Sequence, residues 1–164
     1  MDNQQENPDD SSSKYMYPIQ CSALKQSDVA VINDRPCKVM EISTETVKNG
    51  KEKFHIKGQD IFNGNNHDIF CPLNSMINIA VVSEKNYAVI DILDNGWCSL
   101  MGEKGEVRDD LRLPEGELGT NLWKSFEEGE NISVTVLSAL NIHEIIRCAQ
   151  DAVDGTPSRK IVTD

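Results

Sequence analysis

Short apolar runs separated by polar turns occupy most of the chain between residues 29 and 140. Val29–Ile32 is uniformly apolar, and the following Asn33-Asp34-Arg35-Pro36 predicts the end of a strand. Cys37–Ile42 alternates inward and outward residues, as a half-buried strand does. The pattern predicts a mainly β protein, and its strands are expected at Val29–Ile32, Cys37–Ile42, Phe54–Ile56, Asp68–Cys71, Tyr87–Leu93, Trp97–Met101 and Asn131–Leu140.

Two segments have a helical period instead. In the first, apolar residues recur every four positions and a glycine follows as a stop, which predicts a helix over Leu118–Glu128. In the second, apolar residues recur at spacings of three and four, which predicts a helix over Ile142–Val153. Many short strands with only two short helices favour small β barrels.

The polar segment Ser83–Asn86 is the natural boundary between two such barrels. It divides a first domain, residues 15–83, from a second domain, residues 84–153. Residues 1–14 lack the apolar side chains needed to offset the entropy of ordering, so we expect a disordered acidic tail. Residues 154–164 contain glycine, proline and serine and are expected to form a flexible tail.

The net charge of −11 is unevenly distributed. The first domain carries seven basic and seven acidic side chains, whereas the second carries six basic and fourteen acidic ones. An acidic protein is a poor generic binder of nucleic acid, so any RNA contact must be local. One segment suits such a contact, because it has four lysines and a single acid: Lys48, Lys51, Lys53, Lys57 and Glu52.

The remaining composition excludes several classes of protein. The five cysteines are widely spaced without a C-x-x-C pair, which predicts reduced, mostly buried thiols and no zinc site. The longest apolar stretches are too short to span a bilayer, and the polar, acidic N-terminal segment lacks a secretory signal, so we expect a cytoplasmic protein without membrane contact. No phosphate loop, catalytic triad or metal-ligand spacing occurs, and the histidines are interpreted as structural or surface residues. The sequence therefore predicts neither an enzyme nor a metal or cofactor site.

Six segments carry a more specific signal. They are Gln20–Leu24, Arg35–Lys38, Asp60–Phe62, Cys71-Pro72, Gly105–Gly116 and Thr135–Ala139. They closely resemble segments of the eukaryotic translation initiation factor 5A family, in the family's order and at nearly its spacing, from about residue 17 to residue 152. The longest of them, Gly105–Gly116, is the most specific.

The resemblance implies an N-terminal SH3-like barrel and a C-terminal OB-fold. It also implies a ribosome-binding translation factor that helps peptide bond formation when ribosomes stall, notably on proline runs. Its implied partners are the ribosome, ribosomal RNA and peptidyl-tRNA, and it is compatible with a homodimer. In the family one lysine at the tip of a hairpin is converted to hypusine, which deoxyhypusine synthase and deoxyhypusine hydroxylase make in two steps.

The family's tip usually reads Thr-Gly-Lys-His-Gly-x-Ala-Lys, and here the matching stretch is Thr46-Val47-Lys48-Asn49-Gly50-Lys51-Glu52-Lys53. The resemblance makes Lys48 the candidate for hypusine, because it lies seven residues before His55, as in the family. Lys51 also follows a glycine but lies only four residues before His55. We expect contacts with RNA or the ribosome from Asn49, Gly50, Lys51, Lys53 and Lys57.

The tip departs from the family where Val47 replaces a glycine, Asn49 a histidine and Glu52 an alanine. A β-branched residue resists positive φ, so Val47 would be strained if the loop required that conformation there. Two hypotheses stay open: a working, hypusinated factor with a relaxed loop, or a non-hypusinated paralogue that binds RNA or protein on the same scaffold.

Overall fold

The computed structural model describes residues 14–150, which form two compact units divided between Val82 and Ser83. The short segment Ala139–Asn141 is grouped with the first unit. The two predicted tails, residues 1–14 and 154–164, lie outside the described residues apart from Lys14. The polar segment that was predicted as the boundary, Ser83–Asn86, lies inside a strand.

The first unit is one six-stranded antiparallel sheet with the order β1-β6-β2-β3-β4-β5. Its two longest strands, β3 and β4, are consecutive in the chain and form a hairpin. The strands are β1 Met16–Gln20, β2 Val29–Ile32, β3 Arg35–Thr46, β4 Glu52–Asp60, β5 Asn66–Pro72 and β6 Met76–Ala80.

Alternation along these strands places one set of side chains in a core that includes Ile32, Val39 and Ile56, each fully buried. Gly58 lies in the same layer, where a Cβ atom would come within 3.0 Å of Cys37 Cβ and Ile32 Cδ1. No larger residue fits there without displacing the core. The β3–β4 hairpin, which carries the candidate site, therefore has one face of both strands packed in the core.

The expected end of β2 at Ile32 is confirmed, but the next strand begins at Arg35, two residues before its predicted start at Cys37. Asn33 and Asp34 have φ of 54° and 66°, as a two-residue hairpin turn requires. Arg35, however, already pairs with Ile32, and β3 begins there. The turn is thus two residues long, and Arg35 and Pro36, which were expected to lie between the strands, belong to β3.

The second unit is a five-stranded sheet with one helix, and its strand order is β11-β10-β7-β8-β9. Its core combines buried side chains from the sheet with Leu118 and Leu122 of the helix. This content is what an OB-fold contains. The elements are β7 Val82–Ile92, β8 Trp97–Met101, β9 Val107–Arg112, α1 Glu117–Glu127, β10 Ile132–Ala139 and β11 Ile142–Gln150.

The first predicted helix is confirmed as α1. Gly119 in its first turn is required by close packing, since a Cβ there would lie 1.9 Å from the Pro114 carbonyl oxygen. Gly129, with φ of 78°, follows the end of the helix. Within residues 14–150, no helix is long and apolar enough to cross a membrane.

The second predicted helix, Ile142–Val153, is wrong, because Ile142–Gln150 is strand β11. Leu140 and Asn141 have φ of 52° and 63°, which turns the chain back sharply, and β11 lies next to β10 in the sheet. β-Branched isoleucines are well suited to a strand, so pairing with β10 overrides a spacing that also fits a helix.

The predicted fold class is confirmed: the chain is mainly β, with two sheets and little helix. All five cysteines are buried, as expected. Burial raises the pKa of Cys37 to about 11 and that of Cys98 to about 11, which keeps both thiols protonated and unreactive near neutral pH.

Candidate functional site

The lysine-rich segment lies at the end of the β3–β4 hairpin. β3 and β4 pair as far as Thr46 opposite Glu52. β5 accompanies β4 only as far as Lys53, which is opposite Pro72. The last part of the hairpin therefore extends beyond β5 as a two-stranded arm, defined here as residues 46–52.

A three-residue loop closes the arm. The amide of Val47 donates to the carbonyl oxygen of Lys51 at 2.8 Å, and the amide of Gly50 donates to the carbonyl oxygen of Val47 at 2.9 Å. Gly50 has φ of 82°, and an added Cβ would meet nothing within 4 Å. Its role is thus conformational: it supplies the left-handed residue that ends this type of turn. The side chain of Asn49 adds support, because its Oδ1 accepts from the Lys51 amide at 3.1 Å.

Val47 is not strained in this loop. Among the described residues, positive φ at the arm occurs only at Gly50, so the valine keeps an ordinary backbone conformation. Val47 is the first residue of the turn, just before its first corner, and is half-buried. The expected conflict between a β-branched residue and the loop shape does not arise.

The structure brings four of the six candidate residues together. Lys48, Asn49, Gly50 and Lys51 are all exposed at the tip of the arm, with Lys48 at the first corner of the turn. Lys51 follows the turn and directly precedes β4, and its carbonyl oxygen accepts from the Val47 amide. Of the exposed lysines at the tip, Lys48 is therefore the one at the corner of the turn.

The other two candidates lie further along β4. Lys53 is half-buried at the level where β5 ends. Lys57 is about 20 Å from Lys51, since an extended chain rises about 3.3 Å at each of the six steps from one to the other. Its Nζ lies 3.9 Å from Glu41 Oε1 in an exposed ion pair. Lys57 is therefore not part of the tip, and its charge is partly offset.

Sequence reasoning missed the surroundings of His55. Its ring stacks on Phe70, with ring centroids 4.2 Å apart, and its two nitrogens contact Glu45 and Asp68. These residues come from three strands, so only the strand register brings them together. Acids placed across from the histidine on the two neighbouring strands would have indicated this cluster, but only once the register of β3, β4 and β5 is known.

Candidate chemistry elsewhere is sparse. Among residues 14–150, no group of three or more His, Cys, Asp or Glu side chains is arranged to hold a metal ion. Asp110, one of the clustered acids before the helix, forms a bidentate pair with Arg108, with both N···O distances 2.8 Å. Hydrogen bonding from Arg108 lowers the pKa of Asp110. It is a structural ion pair at the sheet surface.

Comparison with known proteins agrees with this architecture. The family described as translation initiation factor 5A-like, N-terminal, matches residues 14–75. The family described as eukaryotic elongation factor 5A hypusine, DNA-binding OB fold, matches residues 81–149. The two matches adjoin the division between the units, and the second assigns the OB-fold to the five-stranded unit.

Individual relatives agree over most of their length. Eukaryotic translation initiation factor 5A-2 of Schizosaccharomyces pombe is 42% identical over 137 residues, which are 83% of this chain and 80% of the relative. Eukaryotic translation initiation factor 5A-1 of Saccharomyces cerevisiae is 41% identical over 132 residues, which are 80% of this chain and 83% of the relative.

Solved structures give the same answer for the fold. A translation initiation factor 5A family protein from Naegleria fowleri superposes with a TM-score of 0.72 at 36% identity, covering 82% of this chain and 98% of the other. A factor from Methanococcus jannaschii shares the fold at a TM-score of 0.56 and 20% identity. The chain therefore belongs to the eukaryotic translation factor 5A family, as its sequence predicted.

Proposed function

We propose that this protein is a ribosome-binding translation factor that promotes peptide bond formation on stalled ribosomes through hypusine at Lys48. The observation that carries the proposal is the position of Lys48 at the exposed corner of a turn, on an arm that extends beyond β5. A side chain in that position can enter a narrow site that the body of the protein cannot.

The modification suits this geometry. An aminobutyl group lengthens the lysine and adds a second cationic nitrogen, which extends the reach of the arm into a phosphate-lined site. There it would pair with backbone charge and order the end of the peptidyl-tRNA. Such help is positional and electrostatic rather than covalent. No cofactor is proposed beyond the modified lysine itself.

The two modifying enzymes are deoxyhypusine synthase and deoxyhypusine hydroxylase. A synthase must reach the lysine amine and recognise the loop around it. The exposed Lys48 side chain supports the first requirement, and the unstrained Val47 supports the second. Lys51 is the weaker substrate because it lies after the turn, where its backbone pairs with Val47, and not at the corner of the turn.

Contacts with ribosomal RNA would come from the tip and its immediate support. Lys51 and Lys53 place positive charge behind Lys48 on a chain that is otherwise acidic. Asn49 and Gly50 would contribute mainly by fixing the turn. Each phosphate contact makes binding weaker at higher salt, so the affinity for the ribosome should fall steeply with ionic strength. A cytoplasmic location and a homodimer remain predictions.

The proposal is tested by measuring peptide bond formation on proline runs with purified ribosomes. Three forms of the protein are compared: hypusinated, unmodified, and Lys48→Arg. Lys57→Arg is the matched control, because it makes the same change at a lysine of β4 that lies away from the tip and is paired with Glu41. We expect stimulation by the hypusinated protein and by its Lys57→Arg variant, and none by the other two.

Equal activity of the hypusinated and unmodified forms would contradict the role of the modification. Absence of stimulation by all forms, with ribosomes that respond to another member of the family, would favour the alternative. The chain would then be a non-hypusinated paralogue that binds RNA or protein through the same scaffold. The exposed carboxylate of Glu52 beside the tip is the feature that favours this alternative.

A further inference from the structure

The order of the arm depends on the last level of the sheet that supports it. An isolated two-stranded hairpin is marginally stable in water, and a third strand is needed for independent stability. Here β5 provides that third strand only up to Lys53. Whatever ties β3, β4 and β5 together near this level therefore determines how firmly the tip is held.

His55 lies two residues inside this limit. In the register of the sheet, Ser43 of β3 and Phe70 of β5 are its two cross-strand neighbours. The His55 ring is stacked on the Phe70 ring, with an interplanar angle of 15°. Only 12% of the His55 side chain is exposed, although it lies on the outward face of the sheet. The ring is thus fixed in place by its neighbours.

Two carboxylates from two different strands contact the ring. His55 Nδ1 lies 2.9 Å from Oε2 of Glu45, which belongs to β3. His55 Nε2 lies 2.7 Å from Oδ2 of Asp68, which belongs to β5. One side chain of β4 therefore bonds to both neighbouring strands at once. We call this arrangement of His55, Glu45, Asp68 and Phe70 the histidine clamp.

The geometry specifies the protonation state of the ring. An ionised carboxylate only accepts hydrogen bonds, and a neutral imidazole carries one N–H. A neutral His55 could therefore donate to Glu45 or to Asp68, but not to both. Both hydrogen bonds form together only when both ring nitrogens carry a proton, which makes the ring an imidazolium.

We propose that His55 is a positioning residue that, as an imidazolium, ties β3 and β5 to β4 and thereby fixes the direction of the arm that carries Lys48. The importance of that direction rests on the proposed function of the arm. Loss of the ring proton releases one of the two carboxylates and leaves β4 bonded to a single neighbour through this side chain. The arm is then held less firmly.

The charges around the clamp support this state. The hydrogen bond with Asp68, followed by that with Glu45, raises the pKa of His55. Lys53 and Lys57 lie two residues away on either side along the same face of β4, but Lys57 is paired with Glu41. The acids of β3 and β5 thus contact the ring directly, whereas the lysines flank it.

The sign of the pH dependence follows from the raised pKa. The unfolded chain has an ordinary histidine with a pKa of about 6.5. The stabilisation is fully present below that pH and is lost as the pH rises through the higher pKa of the folded state. The arm should therefore be most ordered in mildly acidic solution and least ordered in alkaline solution.

Nuclear magnetic resonance of the purified, unmodified chain tests the proposal. The ¹⁵N shifts of the His55 ring report whether both nitrogens are protonated at pH 7. Backbone order parameters at residues 48–50 report the order of the tip at pH 6 and at pH 9. The variants are His55→Gln, which retains a donor but cannot carry charge, and the pair Glu45→Gln with Asp68→Asn.

His67→Gln is the matched control. His67 lies on β5 next to Asp68, and its Nδ1 is 3.2 Å from Asn33 Nδ2, so it lies outside the clamp. We expect an imidazolium at His55 and tip order parameters that fall from about 0.8 at pH 6 toward about 0.6 at pH 9. In His55→Gln the order parameters of the tip should be low at both pH values. In His67→Gln they should change with pH as they do in the wild type.

A neutral His55 ring at pH 7, or equal tip order in His55→Gln and wild type at pH 6, would overturn the proposal. If His55→Gln does not fold, the wild-type pH series and the Glu45→Gln, Asp68→Asn variant decide the question without it. These measurements involve neither hypusine nor ribosomes. A chain whose Lys48 proves unmodified in cells would leave the clamp intact, and failure of the clamp would leave the modification of Lys48 untouched.

Discussion

Two loops of the molecule, Val47–Lys51 in the first unit and Leu93–Trp97 in the second, are built in the same way. In both, the first amide donates to the last carbonyl oxygen at 2.8 Å. In both, a glycine with positive φ ends the turn, 82° at Gly50 and 93° at Gly96. In both, the side chain of the asparagine before the glycine accepts from the amide of the residue after it, at 3.1 Å in the first loop and 3.2 Å in the second.

What differs is charge and support. The corner occupied by Lys48 in the first loop is occupied by Asp94 in the second. In the second loop the neighbouring strand reaches the turn itself, because the amide of Leu113 donates to the carbonyl oxygen of Gly96 at 2.8 Å. The first loop extends beyond its neighbour. Backbone shape is therefore common to both loops, and only position and charge distinguish the candidate site.

The comparison also explains how the chain accommodates Val47 in place of glycine. Leu93 occupies the equivalent position in the second loop, and neither residue has positive φ. A large side chain at the first position is thus compatible with this turn. The glycine that the turn needs is the one at its end.

The first prediction, with the largest expected effect, asks whether activity depends on where the lysine-bearing loop lies in the fold or only on its backbone shape. Lys48→Arg should reduce the stimulation of peptide bond formation on proline runs to the level without the factor. Adding Asp94→Lys to the same chain should not restore it, because the second loop does not extend beyond its sheet. The measurement is the rate on purified ribosomes after treatment of each variant with the two modifying enzymes. Restored activity would show that a lysine in this turn suffices anywhere in the fold.

The next effect concerns the other end of β4, where Asp60 is almost completely buried. Arg35 Nε lies 2.5 Å from Asp60 Oδ2, and the amide of Phe62 donates to Asp60 Oδ1 at 2.8 Å. Burial alone would raise the pKa of Asp60, but these hydrogen bonds, with another from Asn63, lower it. Asp60→Asn removes the buried carboxylate that accepts these hydrogen bonds and should destabilise the first unit by about 2 kcal/mol.

The stabilisation by Asp60 should also depend on pH. Because the pKa is lowered on folding, the contribution is present above about pH 4, the ordinary range for Asp, and is lost as the pH falls through the lower value. Hydrogen exchange of peptides from each unit, in urea at pH 7 and pH 3, measures this. Both tryptophans belong to the second unit, so their fluorescence reports that unit alone, and its urea midpoint at each pH should be the same in wild type and Asp60→Asn. A similar loss of stability in both units would contradict a local role.

A smaller effect compares the two loops directly. Gly50→Ala and Gly96→Ala each force a Cβ into the left-handed region, at a cost of about 1–2 kcal/mol to the unit that contains it. Only Gly50→Ala should also lower the rate of Lys48 modification in vitro. Urea unfolding monitored by hydrogen exchange, together with a synthase assay, checks both statements. Equal loss of modification in the two variants would show that the synthase does not depend on the conformation of the loop around Lys48.

The smallest effect concerns an ion pair of the second unit. Asp110 is largely exposed, and its partner Arg108 also approaches the hydroxyl group of Tyr87 at 3.4 Å. Because solvent screens such a pair, Asp110→Asn should change the stability of the second unit by less than about 1 kcal/mol. Tryptophan fluorescence during urea unfolding measures it. A loss comparable to that of Asp60→Asn would mean that the exposure of this pair is a poor guide to its energy.

Much of the fold could be predicted from local pattern. Trp97–Met101 is a strand with the predicted bounds, and α1 begins one residue before its predicted start. The failure at Ile142–Gln150 has a physical cause, since spacings of three and four among isoleucines fit either element. The left-handed turn at Leu140 and Asn141 decides between them, and a leucine gives little sequence signal for positive φ.

The site could be predicted only in part. The grouping of Lys48 with Gly50 follows from adjacency in the sequence and from the family resemblance. The histidine clamp depends on the register of three strands, and residues 45, 55 and 68 have no spacing that marks them as neighbours. The conformation of Val47 likewise depends on which residue of the loop takes positive φ, and that choice is visible only in the folded hairpin.

We propose that hypusine on Lys48 gives a loop of ordinary shape the long cationic side chain by which the protein acts. The most direct test is the mass of the peptide that carries Lys48, taken from protein purified from its native cells. We expect the added mass of a hydroxylated aminobutyl group on Lys48, absent from Lys48→Arg, with Lys51 unchanged. An unmodified Lys48, in cells whose synthase modifies another substrate, would contradict it.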